Sequence, residues 1–133
     1  MTSFGSATPA MPASDVERSL AFYENVLGFE RVVRDGDFAL LRRDDATVTL
    51  WGATGESWRL RADWTAPVCS GAESFIAGTA SFRVEVEGID GLYEQCREHV
   101  HPNAPLHDTD WRTREFGLLD PDGNLIGVWE PQP

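Results

Sequence analysis

The sequence predicts an α+β fold made of two βαβββ modules, and three observations carry that expectation. A short β-compatible run leads into an amphipathic helical pattern twice, once near the N-terminus and once after residue 79. Each helical pattern is followed by short strand-like runs separated by turn residues. A long stretch containing Gly, Pro and Trp divides the two halves, and a repeated element order of this kind marks an internal duplication. The 133 residues are read as a single domain, with module 1 at about 5–54, a connection at 55–78 and module 2 at about 79–131.

The elements follow in order. The run from Ser6 to Ala13 holds Pro9 and Pro12, which lack a ladder donor and so suit an edge strand. Ser14 is the expected N-cap of the first helix, with Glu17 completing a capping box. Val16, Leu20, Tyr23 and Leu27 share one helical face, and Gly28 ends the helix. Strands are expected over Phe29–Arg34, Asp37–Arg43 and Thr47–Trp51, with Asp35-Gly36 as a strong hairpin signal.

Residues 52–78 read as a long connection, and a connection of that length in a compact domain is usually functional or a linker. The pattern restarts at Thr79–Glu87, where Phe82, Val84 and Val86 alternate with Ser81, Arg83 and Glu85. Ile89, Leu92, Tyr93 and Cys96 give a second helix ending near Val100. Irregular chain from His101 to Asp110 leads to strands at Arg112–Leu119 and Leu125–Trp129, joined by an Asp120-Pro121-Asp122-Gly123 turn. This turn mirrors the Asp44-Asp45 turn of the first half.

A net charge of −11, from 22 acids against 11 bases, repels phosphate backbones and anionic lipid, so neither nucleic acid nor a membrane is an expected partner. The same field attracts a cationic ligand, and it also serves solubility. Cys69 and Cys96 form no disulfide or zinc pattern. With no signal peptide and no long apolar run, the expected location is the cytoplasm, with both thiols reduced. His99, His101 and His107 lie close in sequence, but without an acid or Cys at ligand spacing they read as surface residues.

Several stretches resemble one family. SDVERSLAFYENVLGFE is similar to the first helix of the vicinal oxygen chelate proteins, the glyoxalase/bleomycin-resistance/dioxygenase superfamily. WRTREFGLLDPDGNLIGVWE resembles their last hairpin, and ESFIAGTASFRVEVEGIDGLYEQC resembles the crossover into their second half. The resemblance implies a U-shaped mixed sheet with a cleft, in a strand-exchanged homodimer. Metal enzymes of the family place His or Glu ligands at positions that fall here on Thr8, Thr49, Ser81 and Gly127. None of these is a nitrogen, thiolate or carboxylate donor, so no metal and no cofactor is expected.

If Thr49 faces the cleft, strand alternation sends Thr47 and Trp51 there too. The same argument sends Arg83 and Glu85 with Ser81, and Leu125 and Trp129 with Gly127, which would leave room for a flat ligand. Arg83 and Glu85 are candidates for a strand-face ion pair. Pro9, Asp37-Phe38 and Trp111 resemble a proline, an Asp-Phe pair and a Trp of bleomycin-resistance proteins, where the aromatic pair resembles a clamp on the drug's flat bithiazole. Arg112-Thr113 stands where that group often has Trp-Gly.

The candidate ligand-binding residues are therefore Asp37, Phe38, Trp51, Trp58, Trp64, Arg83, Glu85, Trp111 and Trp129. The expected function is non-catalytic binding of a planar, cationic small molecule, with a bleomycin-type antibiotic as the named candidate. The alternative is a metal-independent family enzyme, an isomerase or lyase using Arg83, Glu85 or Glu115.

Overall fold

The computed structural model describes residues 1–52 and 80–133. Module 1 consists of β1 (Ala10–Ala13), α1 (Val16–Leu27), β2 (Glu30–Asp35), β3 (Phe38–Arg43) and β4 (Ala46–Gly52). Module 2 consists of β5 (Ser81–Glu85), α2 (Ile89–Cys96), a 3₁₀ turn at Arg97–His99, β6 (His107–Asp108), β7 (Thr113–Leu119) and β8 (Leu125–Pro131). Each module forms a four-stranded mixed sheet, in the orders β1-β4-β3-β2 and β5-β8-β7-β6. The first strand of each pairs in parallel with the last, and the other pairings are antiparallel.

The α+β expectation holds, and several boundaries shift for physical reasons. β1 starts only at Ala10, after Pro9, and among the described residues it is an edge strand, which suits the missing ladder donor of Pro12. The N-cap is Asp15, whose carboxylate accepts the Arg18 N–H at 3.1 Å. Ser14 is drawn away: its N–H donates to Asp122 at 3.1 Å, and its hydroxyl also bonds that carboxylate. Gly28 ends α1 at φ 71°, a left-handed conformation that costs glycine nothing.

The second helix stops at Cys96, short of Val100. There the chain tightens into the 3₁₀ turn because Val100 bridges Leu118 and the His101 N–H donates to Gly117 at 2.9 Å. The region expected to be irregular contains β6, whose two residues pair with Glu115 and Arg114.

Both modules bury their helix-facing sides in one core. Leu20, Tyr23, Leu41, Val48 and Leu50 of module 1 join Ile89, Phe116, Leu118, Ile126 and Val128 of module 2. Each such side chain contributes roughly 1.5–3 kcal/mol on burial. Polar contacts lock the seam between the modules. The buried Asn124 amide donates to the Pro12 carbonyl and to the Asp120 carboxylate, each at 2.9 Å. Arg18 pairs with Asp122 at 2.9 Å, and the Cys96 thiol donates to the Val26 carbonyl at 3.5 Å. The DPDGN turn therefore closes a hairpin and also docks module 2 onto the start of α1.

Candidate functional site

Each sheet turns one face toward its helix and leaves the other open. On β4, Val48 and Leu50 are buried while Thr47, Thr49 and Trp51 are half-exposed. On β8, Ile126 and Val128 are buried while Gly127 and Trp129 are half-exposed. These are the faces that strand alternation predicts.

In module 1 the open face carries an aromatic pair. Phe38 of β3 lies opposite Trp51 of β4, with ring centroids 4.7 Å apart at 67°, an edge-type packing. The Trp51 indole N–H donates to the Thr49 hydroxyl at 3.1 Å, and that hydroxyl donates to the Pro9 carbonyl at 3.0 Å. Trp51 is thereby tied through Thr49 to the chain entering β1. Asp37 lies beside the pair. Its carbonyl accepts the Gly52 N–H at 2.7 Å, and a Cβ at residue 52 would come within 2.8 Å of the Asp37 side chain. Only glycine at 52 allows that approach.

In module 2 a second group forms around Glu115. Its Oε2 accepts from Arg83 at 2.8 Å, from the Trp111 indole N–H at 3.1 Å and from the Thr113 hydroxyl. The Arg83 guanidinium also lies over the Trp129 ring, 5.4 Å from its centroid, a cation–π arrangement. Burial pushes the Glu115 carboxyl up, but the bonds from Thr113 and Trp111 and the charge of Arg83 outweigh it. Its pKa is held below the usual carboxylate range, so it is ionised at neutral pH.

The structure thus unites Asp37, Phe38 and Trp51, and separately Arg83, Trp111 and Trp129. Among the described residues no ring pair joins the two groups. Trp58 and Trp64 lie outside the described residues. Arg83 pairs with Glu115 rather than with the expected Glu85, because Gly127 puts no side chain between β5 and β7. A Cβ at 127 would lie 3.3 Å from the Arg83 Cγ. The space expected to admit a flat ligand over Gly127 is therefore filled by Arg83.

Glu85, at the end of β5, borders a separate cavity of about 720 Å³ lined by Leu27, Phe29, Phe82, Val84 and Leu92. The sequence offers Glu115 only as an acid–base candidate of a family enzyme. Its position two residues from Thr113 on one strand face was the available signal for its structural role.

The positions matching metal ligands elsewhere do not fit a divalent ion. The Thr49 hydroxyl is already engaged on both sides, and a cation above Gly127 would meet the Arg83 guanidinium. Among the described residues no group of three or more His, Cys, Asp or Glu gathers to hold a metal. The histidines have local partners instead: His99 packs edge-on against Phe22, His101 accepts the Asn103 N–H, and His107 meets the Pro105 carbonyl. Cys96 is buried, which pushes its thiol pKa up against the opposing charge of Arg43 and makes it a poor nucleophile. No described helix is long and apolar enough to cross a membrane.

The model of the Glyoxalase/Bleomycin resistance protein/Dioxygenase superfamily matches residues 6–128. A bleomycin resistance protein of Geobacillus stearothermophilus is 47% identical over 124 residues, covering 92% of this chain and 93% of that protein. The crystal structure of a bleomycin-binding protein from bleomycin-producing Streptomyces verticillus, complexed with copper(II)-bleomycin, superposes with a TM-score of 0.71. It is 26% identical and covers 96% of this chain and 97% of that one. A lactoylglutathione lyase from Agrobacterium tumefaciens shares the fold, with a TM-score of 0.72 and 20% identity over 97% of this chain and 95% of that one.

Proposed function

The chain belongs to the glyoxalase/bleomycin resistance protein/dioxygenase superfamily, and from that premise we propose that it binds and sequesters a bleomycin-type antibiotic. The observation that carries this reading is the placement of ring surfaces at the open faces of both sheets: Phe38 against Trp51 in module 1, and in module 2 Trp129 on β8 and Trp111 beside β7, linked through Arg83 and Glu115. Flat heteroaromatic groups stack on such surfaces, and a cationic tail is drawn by the net charge of −11. The 47% identical relative named a bleomycin resistance protein and the solved complex with copper(II)-bleomycin support the same ligand class. Sequestration lowers free drug by mass action, so no bond in the ligand need break.

In this reading Asp37, Phe38, Trp51, Trp111 and Trp129 contact the ligand, Arg83 borders it, and Trp58, Trp64 and Glu85 are peripheral candidates. The active form is a cytoplasmic homodimer that exchanges its first strand and has no nucleic-acid or membrane partner. Residues 1–8 are exposed, with Phe4 97% exposed, and an apolar residue without cover in a single chain supports a second copy packing there. The whole of 1–133 then acts as one domain, with module 1 at about 5–54, the connection at 55–78 and module 2 at about 79–131.

Tryptophan fluorescence titrated with bleomycin, with and without copper(II) and at several salt concentrations, tests the proposal. Saturable quenching in the micromolar range or tighter, weakened by salt, is the expected result. No quenching at micromolar drug removes the proposal.

A further inference from the structure

We infer that Glu115 is the positioning residue of module 2, holding the Trp111 indole directly and Trp129 through Arg83, so that both rings are set before a planar ligand arrives. The inference rests on the ligand-binding reading above and names the residue that orders that site.

Trp111 is 67% exposed, and an exposed indole without an anchor samples several rotamers. A charge-assisted bond to an ionised carboxylate restricts that freedom. Ordering the ring in the free protein lowers the entropic cost of binding. Trp111 has this bond to Glu115 Oε2, and Arg83 and Thr113 bond the same atom, so the carboxylate is itself held from two sides.

The connection to Trp129 runs across three strands. Arg83 leaves β5, crosses β8 above Gly127 and ends on Glu115 of β7, with its guanidinium over the Trp129 ring. The missing side chain at 127 opens this path.

The arrangement also specifies ligand chemistry. Glu115 Oε1 accepts no hydrogen bond among the described residues, and the side chain is 19% exposed. It offers a charged acceptor beside two indoles. A flat ring carrying an N–H donor suits it, since Arg83 already matches the charge of Glu115.

The test uses full-length protein with ¹⁵N-labelled tryptophan, observed first free and then titrated with bleomycin. Glu115→Ala is expected to move and broaden the Trp111 indole N–H signal and to weaken bleomycin about 10-fold, the loss of one bond to a charged group. Glu115→Gln keeps an acceptor oxygen for Trp111, so it restores that signal and recovers part of the affinity. Gly127→Ala, which crowds Arg83, is expected to move the Trp129 signal and leave Trp111 in place.

An unchanged Trp111 signal in Glu115→Ala overturns the inference. So does a Trp51 signal that moves as much as Trp111, because Glu115 would then be a general stabiliser. If wild-type protein fails to bind bleomycin, the ligand-binding reading fails, and the ligand-free spectra still decide the role of Glu115.

Discussion

The Trp51 indole of module 1 is held by neutral contacts, namely the Phe38 ring edge and the Thr49 hydroxyl. The Trp111 and Trp129 indoles of module 2 are held by charge, through Glu115 and Arg83. The two groups occupy corresponding open faces of sheets with the same strand order. Two sheets of the same strand order therefore both present indoles, fixed by different means. Neutral packing is insensitive to pH and salt, whereas a carboxylate–guanidinium pair responds to both.

The two groups stand on one cooperative core, and the largest expected effects come from breaking it. Leu41→Ala in module 1 and Ile126→Ala in module 2 each remove a fully buried side chain. Each is expected to cost ~2–5 kcal/mol, read as a shifted midpoint in denaturant unfolding with the slope unchanged. Two separate transitions in either variant would show that the modules unfold independently, and the shared core would be wrong.

A smaller effect is expected at the seam. Asn124→Ala leaves the Pro12 carbonyl and the Asp120 carboxylate without their amide donor. The cost is ~2–3 kcal/mol for buried acceptors left unsatisfied, measurable in the same unfolding experiment. A cost below about 0.5 kcal/mol, the usual range for a surface change, would show that the turn does not lock the modules.

The smallest effects sharpen the contrast between the groups themselves. Glu115→Gln is expected to cost ~1 kcal/mol at pH 7, discounted because Arg83 is more than half exposed. The folded pKa of Glu115 lies below its unfolded value. Its stabilisation is therefore present above the unfolded carboxylate pKa, about 4.3, and is lost as pH falls through the folded one. The difference between wild type and Glu115→Gln should accordingly shrink as the solution is acidified below pH ~4. Thr49→Val removes the Trp51 anchor at a similar cost, ~1 kcal/mol, with no pH dependence between 7 and 3. Equal pH profiles for the two variants would erase the distinction.

Much of this was legible in the sequence, because periodicity encodes faces. The α1 stripe of Val16, Leu20, Tyr23 and Leu27 is buried, and the alternation on β4 and β8 placed Trp51 and Trp129 on the open side. The opposition of Phe38 and Trp51 comes from the register of the short β3–β4 hairpin, whereas the resemblance joins Phe38 with Trp111.

The features that local patterns do not encode depend on residues distant in sequence. Ser14 looks like an N-cap until Asp122 competes for it. β6 exists only because β7 pairs with it, and two residues carry no period of their own. The partner of Arg83 depended on what separates β5 from β7, and a glycine on the strand between them is silent in any local pattern.

The most direct measurement is the set of tryptophan indole N–H signals in ¹⁵N-labelled protein as bleomycin is added. Trp51, Trp111 and Trp129 are expected to shift together and saturate at one concentration. Saturable binding that leaves all three in place and instead perturbs Leu27, Phe82 and Leu92 around the separate cavity would contradict that expectation.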